Sequence, residues 1–399
     1  MLQSNPGAPR RPASALRQLL ASEAGGGVVL MVAAAAALLL ANSPAADAYF
    51  SLRDSYVAGM SVLHWINDAL MAAFFLLVGL EIKREFLDGQ LATWRRRILP
   101  GVAAAGGMVV PAIFYLAINA SSPETLRGWA IPTATDIAFA LGVLALFGSR
   151  APVSLKIFLT AVAIIDDLGA VAIIAVFYAA DLSLVWLGAA ALTFAGLIGL
   201  NRVRIEHSAA YLMLGAVLWY FTLKSGVHAT IAGVALAVTI PLRQSPARPD
   251  DAKSMLHRWE HALHPWSAFM IVPIFGFANA GVQFSGMGWS VAVAPVTLGI
   301  AAGLFVGKQL GVFFTTLVAI KLRFADKPAN VSLAQVYGVS LLCGVGFTMS
   351  LFIGMLAFPT SPELASQVKI GVLWGSTLSA IAGALVLLRT ACPPEEATS

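Results

Sequence analysis

Four charged residues lie inside long apolar segments of the sequence. They are Asp136, the adjacent pair Asp166 and Asp167, and Lys308. A charge within the hydrocarbon of a membrane costs several kcal/mol, so ionisable residues at such positions are functional candidates. Lys308 can pair with one carboxylate in a structural salt bridge, but it cannot neutralise all three. The remaining negative charge must be matched by protons or by cations from solution. The sequence therefore predicts a buried site for a cation or a proton.

Asp166 and Asp167 are neighbours near the middle of one apolar run. Successive residues of a helix point about 100° apart, so one carboxylate can line a cavity while the other takes a separate partner. Hard, anionic oxygen ligands of this kind suit Na⁺, Li⁺ or H⁺ rather than a soft metal. A carboxylate removed from water also holds a proton more readily. Competition of a cation and a proton for one site, combined with alternating access, is sufficient for exchange.

Two apolar segments are interrupted near their middle. Pro132, which cannot donate a backbone hydrogen bond, precedes Thr135 and Asp136, whose oxygens lie where the helix is expected to open. Gly344 and Gly346 weaken the second helix, although Gly-x-Gly by itself is more typical of close helix packing. Each interrupted segment is the middle member of a trio of spans. This arrangement indicates an inverted repeat with broken helices at the binding site.

The composition defines the elements that hold these residues. The chain has 399 residues, of which 59% are hydrophobic and 11% are charged, whereas a soluble globular protein has about 25% charged residues. This excludes a soluble enzyme, a nucleic-acid-binding protein and a disordered protein. The apolar runs are long and unbroken, unlike the alternating segments of about 10 residues that form membrane β-barrels. The sequence therefore predicts an all-α polytopic membrane protein.

Twelve apolar runs approach or exceed the roughly 20 residues that a spanning helix needs. They cover residues 25–41, 64–82, 98–119, 124–148, 154–180, 183–200, 208–223, 226–241, 265–283, 291–320, 333–357 and 367–389. The first run is similar to a secretory signal, but the many later spans favour an uncleaved helix. We expect one transmembrane domain over residues 1–399, with tails at 1–22 and 390–399.

The distribution of lysine and arginine predicts the orientation in the membrane. Nineteen of the 25 lysines and arginines lie in the amino-terminal tail, in alternate loops or in the carboxyl-terminal region, and four lie in the opposite loops, Arg53, Arg127, Lys224 and Lys369. Loops that are rich in these residues stay on the cytoplasmic side. Both termini are therefore predicted to be cytoplasmic.

Several long stretches of the chain carry a specific pattern, namely Trp65–Asp68, Gly79–Glu85, Ala134–Gly142, Ala163–Gly169, Lys224–Thr230, Glu260-His261, His264–Trp266 and Gly344–Ser350. With these stretches the chain resembles one family, the NhaA-type bacterial sodium/proton antiporters, from about Ser22 to Leu388. This family is one of those that illustrate the inverted-repeat rule, so that argument and the resemblance are not independent.

The resemblance implies a fold of about twelve transmembrane helices in which spans four and eleven are discontinuous and cross at mid-membrane. It also implies that Asp167 is the central carboxylate for Na⁺, Li⁺ or H⁺. Asp166 would be its partner in the Na⁺ site and the ion-pair partner of Lys308. Thr135 and Asp136 would lie at the crossing, where Asp136 compensates the positive helix ends.

The family exchanges more protons than sodium ions in each cycle. The resemblance therefore implies electrogenic exchange of cytoplasmic Na⁺ or Li⁺ for external H⁺, for sodium and pH homeostasis, at a bacterial inner membrane. It implies no cofactor and no nucleic-acid partner, and the lipid bilayer is the expected surrounding. A homodimer is also expected, with the outer segment at about residues 44–62 as the candidate contact.

A second group of titratable residues is predicted on the cytoplasmic side, at the end of span two and the start of span nine. Its members are Glu81, Arg84, Glu85, Glu260, His261 and His264. Imidazole titrates near neutral pH, so the group could sense cytoplasmic pH. From the residues alone, an ordinary solvated helix cap is equally compatible, and a zinc site with two histidines is weaker. The resemblance implies that the group regulates transport by pH.

One position departs from the family pattern. After Gly307 and Lys308 the family usually has proline, and this chain has Gln309. Proline bends or breaks a helix, so its replacement is expected to alter the local bend beside the buried lysine. The ion selectivity and the pH profile are therefore not expected to follow the family quantitatively.

Two other functions would also use buried acids in a membrane. An intramembrane aspartic protease could use Asp136 and Asp167, but such enzymes have an aspartate directly after Gly-x-Gly, and Phe347 follows Gly346 here. A sodium-coupled symporter of an organic solute would need polar or aromatic contacts beside the acids, and these spans are mostly Ala, Val, Leu, Ile and Gly. An ion exchanger that is not an enzyme fits the residues better.

Overall fold

The structure is a computed structural model that describes residues 24–147, 152–179, 182–243, 254–285 and 287–390. The predicted tail at residues 1–22 lies outside this part, as do residues 391–399 of the other predicted tail. Some of the cations that support the predicted orientation, such as Arg10, Arg150 and Arg248, also lie outside it.

Most of the described residues are helical. The first half of the chain forms α1 (Ala24–Ala41), α2 (Ala46–Asp54), α3 (Val62–Leu87), α4 (Trp94–Asn119), a 3₁₀ helix (Pro123–Thr133), α5 (Ile137–Ala145) and α6 (Val153–Phe177). The second half forms α7 (Leu184–Arg202), α8 (Ser208–Lys224), α9 (Ile231–Thr239), α10 (residues 255–280), α11 (Trp289–Lys321), α12 (Leu333–Leu342), α13 (Phe347–Ala357) and α14 (Pro362–Arg389). Three of the longer helices contain a π turn, at Trp65–Leu70, Ser267–Ile271 and Gly303–Gly307.

Six helices in the described ranges are long and apolar enough to cross a membrane, namely α3, α4, α6, α7, α11 and α14. The number rises to 9 if each of three bent pairs is one span. These pairs are α1 with α2, bent by 113°, and the 3₁₀ helix with α5 and α12 with α13, each bent by 42°. Every predicted apolar run contains helix, so the prediction of a mostly helical chain with several apolar spans is confirmed. The count of twelve crossings stays a prediction.

The outer segment between α1 and α3 folds into two small elements. Helix α2 is followed by a hairpin in which Tyr56–Val57 pairs antiparallel with Met60–Ser61. Ala58 and Gly59 connect the strands with φ values of 50° and 86°, and two positive φ values are typical of a tight type I′ turn.

The core joins the helices that surround the two interrupted segments. Leu30 of α1, Phe75 of α3, Ile131 of the 3₁₀ helix, Phe275 of α10 and Phe352 of α13 belong to one buried apolar cluster. Side-chain packing of this kind holds helices together in lipid, where the hydrophobic effect contributes little. The interrupted segments are thus fixed in a rigid surrounding.

Helices α4 and α11 pack closely along their length. A Cβ atom on Gly311 would overlap the carbonyl of Gly106, and a Cβ atom on Gly106 would overlap the carbonyl of Gly311. Small residues allow such close approach of two membrane helices. Gly311 lies about one helical turn after Lys308, so this contact holds the part of α11 that carries the lysine. The Nζ atom of Lys308 lies beside Gly107 of α4.

Candidate functional site

The two helix breaks lie against each other. Residues 134–136 separate the 3₁₀ helix from α5, and residues 343–346 separate α12 from α13. The backbone N–H of Asp136 donates to the carbonyl of Val345 at 2.6 Å. Backbone groups that leave a helix and remain buried need new partners. Here each break supplies partners for the other, which is why the breaks occur together.

Asp136 contacts the amino-terminal ends of both α5 and α13. Its Oδ1 atom accepts from the Phe139 N–H at 3.0 Å, and its Oδ2 atom accepts from the N–H of Thr348 at 2.9 Å and from its hydroxyl at 2.6 Å. A helix amino terminus carries unpaired N–H groups and a partial positive charge, so both ends favour a carboxylate. Thr348 was not predicted as a site residue, although its place two residues after the Gly-x-Gly break was the available signal.

Asp166 is held by side chains from two other segments. Its Oδ2 atom lies 2.5 Å from Lys308 Nζ and 2.7 Å from Thr135 Oγ1. Lys308 Nζ also donates to the carbonyl of Thr133 at 2.6 Å. Thr135 Oγ1 lies 2.9 Å from the carbonyl of Cys343 as well, and its single proton serves one of the two acceptors at a time. Asp166, Thr135 and Lys308 therefore form one buried network.

Asp167 faces a separate cavity. The side chain is 3% exposed, and its Oδ1 atom has no hydrogen-bond partner within the described part of the chain. Thr135, Asp136 and Thr348 contribute to the lining of the same cavity. The cavity leaves about 10 Å³ for the centre of a water molecule, which is room for about one small occupant.

These contacts divide the three carboxylates by their partners. Asp166 is paired with Lys308, and Asp136 is bonded to two helix ends, whereas Asp167 has no ion-pair partner among the described residues. The Oδ1 atoms of both Asp166 and Asp167 lack a hydrogen-bond partner in the same part of the chain. Carboxylate and hydroxyl oxygens are the ligands that hard cations prefer. The arrangement can hold a proton or a small hard cation at Asp167, with the oxygens of Asp166, Thr135 and Asp136 nearby.

A larger cavity of about 490 Å³ adjoins the small one. Residues from α3, α5 and α10 line both cavities, namely Phe74, Ile137, Ala138 and Val272. An apolar layer therefore separates Asp167 from the larger cavity. We call this larger cavity the funnel.

The second predicted group of titratable residues lies at the funnel. Arg84 contacts Glu260 at 2.9 Å and Glu85 at 2.7 Å, and Glu85 also accepts from the Gln90 N–H at 2.7 Å. All four side chains line the funnel. Part of the funnel lining is thus an arginine between two carboxylates.

The remaining members of that group differ in their position relative to the funnel. Glu81 and His264 line the funnel, whereas His261 does not; its Nδ1 atom lies 2.9 Å from the carbonyl of His257. Lys156 of α6 also lines the funnel. No set of three His, Cys, Asp or Glu side chains in the described ranges could hold a metal ion, so the zinc interpretation gains no support.

The sequence of this chain is similar to those of known proteins over most of its length. A sequence model of the family described as Na⁺/H⁺ antiporter 1 matches residues 17–387. The chain belongs to this family. It is 62% identical over 377 residues to the Na(+)/H(+) antiporter NhaA of Nitrobacter hamburgensis, with 94% of this chain and 92% of that protein covered. It is also 62% identical over 380 residues to the protein of the same name from Caulobacter vibrioides, with coverage of 95% and 92%.

A solved structure supports the fold. The sodium proton antiporter MjNhaP1 from Methanocaldococcus jannaschii at pH 8 is similar with a TM-score of 0.52 at 17% sequence identity, and 92% of each chain is covered. The family model and the relatives confirm the resemblance found in the sequence. The family consists of Na⁺/H⁺ antiporters, so the chain is a transporter and not an enzyme. The protease and symporter alternatives are rejected.

Proposed function

We propose that this chain exchanges cytoplasmic Na⁺ or Li⁺ for external H⁺ at Asp167. Family membership supports the exchange of Na⁺ and H⁺. The observation that carries the site assignment is the buried carboxylate of Asp167, which faces an oxygen-lined cavity and, unlike Asp166, has no ion-pair partner among the described residues. A buried carboxylate that lacks a compensating partner is strongly unfavourable. Asp167 therefore carries a proton or a cation.

Na⁺ would be bound by Asp167 together with Asp166. The Oδ2 atom of Asp166 is occupied by Lys308, so the ion pair has to separate as Na⁺ arrives. An ammonium group left without its carboxylate at this depth is costly, and Lys308 then gives up its proton. Asp167 releases a second proton when the same Na⁺ binds.

This charge balance makes the exchange electrogenic. Before Na⁺ binds, protonated Asp167 is neutral and the Asp166–Lys308 pair has no net charge. After it binds, two carboxylates, one Na⁺ and a neutral lysine leave a net negative charge. Two protons are exchanged for one Na⁺, so one positive charge enters per cycle, and an inside-negative potential contributes about 2.3 kcal/mol per 100 mV.

Alternating access would use the two broken helices. We expect twelve spans in one domain over residues 1–399, arranged as inverted repeats, with spans four and eleven crossing at mid-membrane. The bonded breaks at residues 134–136 and 343–346 support this arrangement. Transporters of this kind move one group of helices against another around a fixed site. The apolar layer between Asp167 and the funnel is the element that would open.

The residues at the funnel would regulate the exchange by pH. They are Glu81, Arg84, Glu85, Glu260 and His264. His261, the sixth member of the predicted group, lies outside the funnel lining. Protonation below neutral pH adds positive charge to imidazole, which repels Na⁺ from the funnel. The arginine–glutamate contacts and the lining position of one histidine support this role.

The chain would act in a bacterial inner membrane with both termini in the cytoplasm, as a homodimer for sodium and pH homeostasis. The bias of lysine and arginine supports the orientation. The outer segment supports the dimer, since Leu52, Tyr56 and Val57 are 67%, 78% and 56% exposed on α2 and the hairpin. Crosslinking in native membranes tests this, and capture of monomers alone would remove the dimer.

The exchange itself is tested in proteoliposomes that contain a trapped pH dye. Addition of Na⁺ should move protons in the parent protein, and Asp167→Asn, which keeps the shape of the side chain, should abolish the response. Asp326→Asn, which alters an exposed carboxylate, should not. An imposed membrane potential should change the rate. Full exchange by Asp167→Asn would reject the site, and a potential-independent rate would reject the electrogenic step.

A further inference from the structure

Gln309 is buried directly beside Lys308 and is bonded at both ends of its amide. The side chain is 8% exposed. Its Nε2 atom donates to the carbonyl of Phe305 at 2.7 Å, and its Oε1 atom accepts from the Tyr337 hydroxyl at 2.6 Å. A buried polar group with both ends satisfied has one favoured orientation, because any other leaves an unpaired atom.

The backbone at Lys308 follows a π turn. The N–H of Lys308 donates to the carbonyl of Gly303, five residues earlier, instead of to that of Leu304. Such turns are often found at functional positions. The Leu304 carbonyl packs against the second helix break, where a Cβ atom on Gly344 would overlap it. The rotation of α11 at Lys308 is therefore coupled to the position of that break.

Tyr337 links the same region of α11 to α12. Tyr337 lies six residues before Cys343, which is the first residue of the second break. Its ring packs edge-on against Phe313 of α11, with centroids 5.2 Å apart and planes at 75°. The hydroxyl bond to Gln309 adds a second connection between the two helices. Tyr337 thus attaches the first half of the broken helix to the helix that carries Lys308.

We propose that Gln309 and Tyr337 are positioning residues for Lys308. A lysine side chain is long and flexible, so the position of its Nζ atom against Asp166 and Thr133 depends on how its backbone is held. The Gln309–Tyr337 bond holds it by fixing α11 to α12. The inference rests on the proposed role of the Asp166–Lys308 pair, which separates when Na⁺ binds. A looser attachment weakens the pair, so that less Na⁺ is needed to separate it.

The charged and titratable groups around Lys308 come from several elements. Asp166 and Asp167 face it from α6, and Cys343 faces it from the second break. Asp136 of the first break faces Asp167. Helix α4 faces it with Gly107, which carries no charge. Gln309 has no ionisable group, and Tyr337 bonds to Gln309 and not to Lys308, so a change at either one acts on Lys308 through its position.

The test uses Gln309→Met, Tyr337→Phe and the double variant in proteoliposomes. Each substitution removes the bond between the two helices with little change of shape. The apparent KM for Na⁺ at fixed pH should fall by about two- to tenfold in each, the factor that corresponds to one hydrogen bond, and the pH profile should move to lower pH. The double variant should match the single ones, because both remove the same bond. Ser340→Ala is the control, since its buried hydroxyl bonds within α12 to the carbonyl of Val336.

The outcomes separate this inference from the proposed function. A parent protein that does not exchange Na⁺ for H⁺ overturns the proposed function. A parent that exchanges, with KM and pH profile unchanged in Tyr337→Phe, overturns the positioning role alone. A lower melting temperature with unchanged KM also overturns it, because the bond is then structural. Tyr337→Phe decides the question by itself if Gln309→Met does not fold.

Discussion

Lys308 Nζ lies 2.5 Å from Asp166 Oδ2, and neither side chain is exposed to solvent. Removing one partner of a buried ion pair leaves the other charge uncompensated and costs about 3–5 kcal/mol, whereas replacing both partners by neutral groups of similar size is often tolerated. The pair is therefore both a structural element and a part of the proposed exchange.

We predict that Lys308→Met lowers the melting temperature of the purified protein strongly, because Asp166 is left buried without its cation. The double variant Lys308→Met with Asp166→Asn should recover much of the loss, since no unpaired charge remains. Thermal unfolding in one detergent measures both. If Lys308→Met is as stable as the parent protein, the ion pair does not contribute to stability.

A second prediction concerns the bond between Thr348 and Asp136. Thr348→Val removes the hydroxyl that donates to Asp136 Oδ2 at 2.6 Å, and a hydrogen bond to a charged group contributes about 1.5–3 kcal/mol. Thr316→Val is the matched control, because the Thr316 hydroxyl is buried and has no partner among the described residues. Thermal unfolding should show a loss in the first variant and none in the second. Equal losses would mean that the effect comes from threonine packing.

A third prediction concerns the contact of α4 and α11. Gly311→Ala introduces a methyl group that overlaps the Gly106 carbonyl, whereas Gly101→Ala on α4 meets open space. The first should reduce both the melting temperature and the rate of exchange, because it pushes α11 and Lys308 outward. The second should leave both unchanged or raise stability, since alanine favours a helix over glycine by about 0.5–1 kcal/mol. A fully active Gly311→Ala protein would show that this contact can relax.

Local features of the site could be predicted from the sequence. The buried charges, Pro132 and the Gly-x-Gly segment each act on their own helix. The first break begins two residues after Pro132, and the second contains the Gly-x-Gly segment. The partner of each side chain could not be predicted in this way. Lys308 and Asp166 are separated by 142 residues, and a span that is apolar on all sides gives no periodic signal for the face that turns inward.

The same limit applies at the funnel. Arg84 and Glu260 are 176 residues apart in the sequence, so their contact is a product of helix packing. His261 and His264 have the same chemistry and a similar position at the start of one span, yet His264 lines the funnel and His261 does not. The residue types alone predict the chemistry of this group. Only the tertiary structure shows which of its members line the funnel.

That difference between the two histidines gives the last prediction. Imidazole gains a positive charge as the pH falls from 8 to 5, and in the funnel this charge repels Na⁺. His264→Gln should therefore lower the apparent KM for Na⁺ at acid pH by about two- to fivefold, the effect of one partly screened charge. At alkaline pH, where an ordinary imidazole carries no charge, the substitution should not change KM. His261→Gln, outside the funnel lining, should match the parent at both pH values. Equal effects of the two variants would show that the pH response does not arise in the funnel.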